Sequence, residues 1–259
     1  MAEGAEVGVR VADGVYWVTI QRPAVRNAIN DAVLQGISTA LAQAVEDEAL
    51  CIVLTGEGEA AFCAGGDLKP NSGTFDFDFS KNTTPYSRLL RQAIACEVPM
   101  IARINGACLA GGMGLMAMCD MTVAASDVSF GLPEVKIGLF PMQVASVLQG
   151  LLPRRAFMEL CLTGEPISAM EAYRLGLINY VVEREELDQK VDWLVARITG
   201  KSPAANRRGK HALAAIQDMT FAQSIAYTEG QIGTMRLTKD AEEGMSAFNE
   251  RRPPVFRGR

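Results

Sequence analysis

The sequence has no apolar run that approaches the roughly 18 residues needed to span a membrane as a helix. It also lacks an excess of basic residues: the formal net charge is −5, whereas a general nucleic-acid binder is usually basic. The first ten residues, MAEGAEVGVR, contain no basic segment followed by an apolar core, so we see no secretory signal. These absences predict a globular protein without a nucleic-acid or membrane partner.

Paired cysteines are absent as well. The six cysteines are scattered among apolar neighbours and none forms a CxxC motif, so a zinc or redox site is not expected. The only histidine, His211, lies in the Lys- and Arg-rich segment NRRGKH and is predicted to be exposed. We therefore predict reduced core cysteines in a cytoplasmic protein that binds no metal.

The hydrophobic pattern that is present predicts alternating strands and helices. Residues 8–21 alternate small, polar and apolar residues around Asp13-Gly14, which predicts a β-hairpin. Apolar residues at helical spacing predict a helix over 27–48, with Asn30 or Asp31 as its cap. Short apolar segments at 51–55, 98–104 and 121–125 predict strands buried in a parallel sheet.

The order strand–loop–helix recurs from residue 51 onward and predicts an α/β layer architecture. A helix is predicted at 86–96, and the segment 71–84 is predicted to be a mobile loop. Residues 143–196 and 204–247 are predicted to be mostly helical. We expect a core over residues 1–200 and a helical C-terminal region over 201–259.

Two similar glycine loops follow predicted strands: AFCAGGDLK after 51–55, and ACLAGGMG after 98–104. In open α/β sheets ligands bind beyond the carboxyl ends of the strands, and glycine lets a backbone N–H approach a ligand closely. Two converging N–H groups would hold an oxyanion, assisted by the positive end of a helix that begins at Gly111 or Gly112. The alternative is a pair of tight turns with packing glycines, and spacing alone does not show that the loops meet.

Several motifs resemble, in order, those of the crotonase family, the enoyl-CoA hydratase/isomerase superfamily. They run along nearly the whole chain: QRPAVRNAIN, FCAGGDLK, NGACLAGGMGLMAMCD, FGLPEVKIGLFP, LTGEPISAMEAYRLGLINYVV and FNERRPPVFRGR. The resemblance implies an α/β fold built as a spiral of ββα units, with a helical C-terminal trimerisation region and trimers often paired into hexamers. It also implies an acyl-CoA thioester substrate, so coenzyme A enters with the substrate and no separate cofactor is expected.

The resemblance implies roles for Gly66 and Gly111, which match the positions whose N–H groups bind the thioester carbonyl. When a proton is added or removed next to a thioester, an enolate forms and its oxygen gains negative charge. A fixed donor at that oxygen is commonly worth about 3–4 kcal/mol in the transition state.

The expected catalytic carboxylates differ from those of family hydratases, which usually carry two glutamates around one water. Glu134 matches the second of these, whereas Gly114 matches the first, so only one is retained. Burial would raise the pKa of Glu134 and suit it to proton transfer. Gly114 has a packing alternative as a helix glycine that lets another element come close. The next acid, Asp120, matches a structural aspartate.

Further residues are predicted to contact the substrate. Arg26 and Lys69 match positions near the CoA phosphates, with solvated surface charges as the alternative. Phe256 and Arg257 match residues that reach a neighbouring subunit's CoA site, with a frayed basic terminus as the alternative. Residues predicted to narrow the acyl pocket are Phe140, Met142 and Gln143, the last of which would hold a water or a carbonyl unless it is exposed. The predicted substrate-binding set also includes Ala64, Asp67, Leu68 and Gly114.

The motifs leave two reactions open. One glutamate with an oxyanion hole suffices to move a double bond, taking a proton from C2 and returning it to C4. The resemblance to methylglutaconyl-CoA-type hydratases, which share the GG-x-G pattern, favours hydration instead. Thioester hydrolysis, C–C cleavage and CoA binding without any activity also stay open on the same scaffold.

Overall fold

The computed structural model describes residues 6–69, 78 and 80–259. Within these residues the strands are β1 Val7–Ala12, β2 Val15–Ile20, β3 Cys51–Gly56, β4 Ala61–Cys63, β5 Met100–Ile104, β6 Ala107–Leu109, β7 Met121–Ala125, β8 Ser129–Gly131, β9 Ile167–Ser168 and β10 Tyr180–Val182. The α-helices are α1 Asp31–Glu46, α2 Pro85–Ala95, α3 Gly111–Ala117, α4 Met142–Leu148, α5 Arg154–Thr163, α6 Ala169–Arg174, α7 Leu187–Thr199, α8 Pro203–Ile216, α9 Phe221–Met235 and α10 Lys239–Glu250. Short 3-10 helices span Pro23–Val25, Pro133–Ile137 and Arg184–Glu186.

Six strands form a large sheet in the order β1-β2-β3-β5-β7-β10. β1 and β2 are the antiparallel hairpin predicted around Asp13-Gly14, and both turn residues have positive φ angles, as the tight turn requires. The remaining pairs are parallel, as the continuous apolar segments predicted. Ile52, Val53 and Ile101 are fully buried, because helices cover the sheet.

Helix α1 begins later than predicted. Asn30 caps it by accepting a hydrogen bond from the Val33 N–H at 2.9 Å, which confirms one of the two predicted caps. The prediction that the helix includes Asn27 is wrong, because Asn27 lies in a turn with a left-handed φ of 55°. Helix α2 begins with a capping box formed by Thr84 and Ser87.

A small sheet, β4-β6-β8-β9, packs beside the large one. β4, β6 and β8 are parallel, and β9 is antiparallel to β8. The segments of β4 and β6 were predicted to be loops, and this prediction is wrong. Strands of three residues carry too little hydrophobic periodicity to be recognised from sequence.

Residues 143–196 are mostly helical, as predicted, and the short strands β9 and β10 lie between the helices. The C-terminal region contains α8, α9 and α10 as predicted, and α8 contacts both other helices and α2. The division at residue 200 stays a prediction. Most of the predicted mobile loop at 71–84 lies outside the described residues.

Candidate active site

Three parallel strands of the small sheet end side by side, and a predicted catalytic residue follows each end. Gly66 comes shortly after β4, Gly111 shortly after β6, and Glu134 shortly after β8. Since β6 lies between β4 and β8 and runs parallel to both, the three carboxyl ends share one edge of the sheet. The fold therefore gathers residues that are far apart in sequence.

The two glycine loops meet. A Cβ built on Gly65, whose φ is 100°, would lie 2.6 Å from the Ala110 Cβ and 3.4 Å from the Gly111 nitrogen. The Gly66 nitrogen lies 3.8 Å from the position that a Gly111 Cβ would take. Side chains would separate the two backbones, so the glycines permit the contact.

The Gly66 and Gly111 N–H groups take no part in strand pairing or in helix hydrogen bonds. Ile29 donates to the Gly65 carbonyl at 2.7 Å and accepts from the Asp67 N–H at 2.8 Å, so the intervening Gly66 N–H points to the other side. Gly111 is the first residue of α3, where N–H groups have no acceptor within the helix. In the described ranges, neither N–H has a protein acceptor.

Ala110 turns the chain between β6 and α3 with a φ of 50°, which is rare for a residue other than glycine. Such backbone strain costs about 1–3 kcal/mol and often marks functional sites. The Ala110 N–H donates to the Gly131 carbonyl at 2.9 Å, which ties the second loop to the strand that leads to Glu134. Sequence reasoning missed Ala110, because alanine carries no signal for a positive φ.

Glu134 lies in the first turn of the 3-10 helix Pro133–Ile137. Its Oε2 atom is buried and has no hydrogen-bond partner among the residues that the structure describes. Burial raises the pKa of Glu134 above its ordinary value, opposed in part by a hydrogen bond from its own backbone N–H. A raised pKa makes the Glu134 carboxylate a stronger proton acceptor than an exposed glutamate.

Gly114 is buried in α3 against Tyr86 of α2. A Cβ at position 114 would overlap the Tyr86 hydroxyl oxygen and would lie 3.2 Å from its Cζ and 3.5 Å from Val144 Cγ2. The Tyr86 hydroxyl donates to the Gly111 carbonyl at 2.6 Å. The Tyr86 hydroxyl therefore fills the space beside Gly114, as the packing alternative expects, and the catalytic meaning of the missing carboxylate stays a prediction. Sequence reasoning did not identify Tyr86, which lies in an ordinary amphipathic helix.

The predicted CoA-contacting residues surround the first loop. The Arg26 carbonyl accepts a hydrogen bond from the Ala64 N–H at 3.0 Å, which brings Arg26 beside this loop. The Arg26, Leu68 and Lys69 side chains are exposed. Their binding roles stay predictions.

Asp67 differs from its neighbours because it is buried. Its carboxylate forms an ion pair with Arg22 at 3.0 Å and accepts the Lys69 N–H at 3.1 Å. These contacts, that from Lys69 first, hold the pKa of Asp67 below its ordinary value despite burial. We conclude that Asp67 and Arg22 shape the loop, and Arg22 was not among the residues predicted from sequence.

Buried Asn27 supports the turn before β4, the strand that leads into the first glycine loop. Its Nδ2 atom donates to the Ala61 carbonyl at 2.8 Å and to the Glu57 carbonyl at 3.0 Å. The Asn27 side chain thus provides hydrogen-bond donors for two carbonyl groups of the turn that leads into β4. The burial of Asn27 has no signature in the sequence, and the residue was predicted to belong to a helix instead.

On the acyl side, Phe140 and Met142 are exposed at the start of α4. Half-buried Gln143 donates from Nε2 to the Thr84 Oγ1 atom at 2.6 Å. This bond joins α4 to the N-cap of α2 and was not predicted. The contributions of Phe140, Met142 and Gln143 to an acyl pocket stay predictions.

The C-terminal tail folds back along its own chain. The Arg257 N–H donates to the Asp240 Oδ1 atom at 2.8 Å. The Phe256 ring lies close to Gly244 of α10, with Cε1 3.5 Å from the position that a Gly244 Cβ would take. The tail is therefore anchored rather than frayed, and its reach into a neighbouring subunit stays a prediction.

A sequence model of the enoyl-CoA hydratase/isomerase family matches residues 10–259. The chain belongs to this family. The match spans the three strand ends, both glycine loops and the anchored tail. The protein is accordingly an enzyme of the enoyl-CoA hydratase family that acts on CoA thioesters.

Individual members of the family are similar along nearly their whole length. The (E)-benzylidenesuccinyl-CoA hydratase of Thauera aromatica is 32% identical over 261 residues, covering 97% of this chain and 99% of that one. The short-chain-enoyl-CoA hydratase of Clostridium acetobutylicum is 31% identical, covering 91% of each. An enoyl-CoA hydratase structure from Bacillus anthracis has a TM-score of 0.91 at 31% identity, covering 98% of this chain and 100% of that one.

These comparisons confirm the predicted family and the crotonase-like α/β fold. Within the described residues, no helix combines the length and apolar character needed to cross a bilayer. All six cysteines are unpaired, and Cys119 alone is not fully buried.

Proposed function

We propose that this enzyme hydrates 2-enoyl-CoA thioesters, with the Gly66 and Gly111 N–H groups at the carbonyl oxygen and Glu134 transferring the proton. The observation that carries the proposal is the buried, unpartnered Glu134 Oε2 atom beyond the same sheet edge as the two glycine loops. A buried carboxylate oxygen that has no hydrogen-bond partner among the described residues is costly unless it serves a function.

The atoms balance with one glutamate. Water forms a bond from its oxygen to C3 while the Glu134 carboxylate takes one water proton, and the C2–C3 π electrons move toward the thioester carbonyl. The resulting enolate oxygen accepts hydrogen bonds from the two N–H groups, whose fixed positions lower the barrier. Glu134 then returns the proton to C2. The product is a 3-hydroxyacyl-CoA and Glu134 is regenerated.

The names of similar proteins support hydration as the leading reaction. The Thauera aromatica and Clostridium acetobutylicum relatives are both described as hydratases of CoA thioesters. Both align with this chain over more than nine-tenths of its length. On this basis we place the reaction in the lyase class.

Isomerisation of a 3-enoyl-CoA to a 2-enoyl-CoA is the second candidate. Gly114 carries no carboxylate, and a single glutamate is sufficient to move a proton from C2 to C4 through a dienolate. The same two N–H groups would stabilise that dienolate.

Crotonyl-CoA and 3-hexenoyl-CoA distinguish the two reactions. Hydration removes the absorbance of the conjugated thioester, whereas isomerisation creates it. We expect hydration of crotonyl-CoA, and a decrease of about 100- to 10,000-fold in kcat for Glu134→Gln, the range typical for loss of a general acid–base group. The matched control is Glu165→Gln, at an exposed glutamate paired with Lys136, which should retain activity.

Other outcomes would identify a different reaction. Conversion of 3-hexenoyl-CoA alone would favour isomerisation, and release of free coenzyme A would favour thioester hydrolysis. Full activity in Glu134→Gln would contradict the proposed mechanism. Acyl-CoA binding without turnover of either substrate would favour C–C chemistry or a binding protein.

We further propose that the enzyme works in the cytoplasm as a trimer or a dimer of trimers. Large apolar side chains are exposed on or beside α9 and α10, which supports burial of this region against other copies. These side chains are Phe221, Ile232, Leu237 and Phe248.

A further inference from the structure

The Tyr86 hydroxyl is held at the first turn of α3, beside the Gly111 peptide group. It donates its only proton to the Gly111 carbonyl at 2.6 Å. A phenolic oxygen that donates in this way keeps lone pairs that accept hydrogen bonds. The fixed donor direction therefore makes the hydroxyl an acceptor toward any neighbouring molecule.

The position of Tyr86 is tightly defined. Its oxygen fills the space that a side chain at position 114 would occupy, and Val144 of α4 borders the same space, with Cγ2 3.5 Å from the position that a Gly114 Cβ would take. Tyr86 lies in the first turn of α2, whose N-cap Thr84 accepts the hydrogen bond from Gln143 of α4. The hydrogen bond of the hydroxyl to α3, together with the bond that joins the start of α2 to α4, thus holds the hydroxyl in place.

The hydroxyl and Glu134 lie beside neighbouring strand ends of the small sheet, the hydroxyl at Gly111 after β6 and Glu134 after β8. Burial raises the pKa of Tyr86 well above its ordinary value, and the Cys63, Cys108 and Glu134 side chains add to this. A tyrosine with such a pKa stays protonated, so it does not act as a base. The Ala110 N–H donates a hydrogen bond to the Gly131 carbonyl. This bond joins the end of β6, beside the Tyr86 hydroxyl, to the end of β8, which precedes Glu134.

The Cys63 and Cys161 thiols and the Asp120 carboxylate are poor candidates for a second acceptor. Burial raises the pKa of Cys63 to about 12 and that of Cys161 to about 11, so both thiols are neutral and accept weakly. Asp120, the nearest acid after Gly114 in sequence, is already bonded to the Met100 N–H and to Lys210, each at 2.7 Å. It therefore does not serve as a second carboxylate.

We infer that the Tyr86 hydroxyl binds the attacking water, accepting one of its hydrogen bonds while Glu134 accepts the other. Water held by two acceptors directs a lone pair toward C3, which a single glutamate does not enforce. This inference rests on the proposed hydration and assigns the second water-binding group to α2 rather than α3. The chemistry is otherwise unchanged, and Tyr86 loses no proton.

Tyr86→Phe tests the inference, because it removes the oxygen and keeps the ring. Two reactions are measured: hydration of crotonyl-CoA, and exchange of the C2 protons of butyryl-CoA with deuterium oxide. Exchange requires Glu134 and the two N–H groups but no attacking water. We expect kcat for hydration to fall about 100-fold, with little change in KM, while exchange stays near the wild-type rate. Tyr173→Phe, at an exposed tyrosine of α6, is the control and should leave both rates unchanged.

Three results would overturn the inference. Wild-type hydration by Tyr86→Phe would show that the hydroxyl does not hold the water. An equal loss of hydration and exchange would show that it only supports the Gly111 peptide. A wild-type enzyme that catalyses exchange but no hydration would overturn the proposed function itself, and the inference with it.

Discussion

The large sheet and the small sheet divide the work of this protein. The large sheet contains the buried apolar strands, and none of its strands leads directly into a predicted catalytic residue. The small sheet has strands of only two or three residues, yet the carboxyl ends of β4, β6 and β8 lead into all three predicted catalytic residues. The bulk of the apolar core and the precision of the site therefore come from different parts of the fold.

The two sheets also differ in how much room their surroundings leave for side chains. In the large sheet, side chains such as Ile52 and Ile101 fill the space between sheet and helices. In the small sheet, backbones approach too closely for side chains: a Cβ on Gly112 would lie 2.9 Å from the Cys63 Cβ. Substitutions should therefore affect activity in one region and stability in the other.

Gly65→Ala should have the largest effect on the small sheet. The new Cβ would meet the Ala110 Cβ at 2.6 Å, at a φ of 100° that alanine tolerates poorly. Displacing the adjacent Gly66 N–H should lower kcat about 100- to 1,000-fold, the loss expected for an oxyanion donor. Steady-state hydration of crotonyl-CoA measures this.

Gly176→Ala is the matched control. Gly176 has a φ of 80°, and a Cβ there would meet nothing within 4 Å. We expect a loss of about 1–2 kcal/mol in stability from backbone strain, with normal kcat. If both alanine variants lost activity equally, the small sheet would have no special role.

Ile101→Ala probes the large sheet. Removing this fully buried side chain from β5 should lower the free energy of unfolding by about 2–5 kcal/mol. The kcat of the folded enzyme should change little. Denaturant titration and activity assays measure the two effects, with exposed Val9→Ala in β1 as a control within about 0.5 kcal/mol. If Ile101→Ala lowered kcat as much as Gly65→Ala does, the two sheets would not differ in their contribution to activity.

The smallest expected effect is a pH dependence of stability that comes from Glu134, which follows the small sheet. Because burial raises the pKa of folded Glu134 above its unfolded value of about 4.3, the folded state binds the proton more tightly. The associated stability is present at low pH and is lost as pH rises through the folded pKa. Glu134→Gln should therefore be more stable than the wild type at pH 8, with the difference shrinking toward pH 4. Thermal unfolding at equal protein concentrations tests this, and a less stable variant at pH 8 would contradict it.

Local patterns predicted much of the large sheet. The Asp13-Gly14 turn and the apolar segments of β3, β5 and β7 carry their signals within a few residues. The helix start at Asn30 and the glycine loops were likewise readable. Other features could not be predicted in this way. Strands β4 and β6 are too short to show a hydrophobic period, and no residue type signals the positive φ of Ala110.

The sequence alone determined the family and the two glycine loops. Its motifs are contiguous, so their meaning does not depend on distant contacts. Only the tertiary structure decided that the loops meet at one sheet edge, that Glu134 Oε2 is buried, and that Tyr86 occupies the space beside Gly114. These facts depend on parallel pairing and side-chain volume across separate elements, which no local pattern encodes.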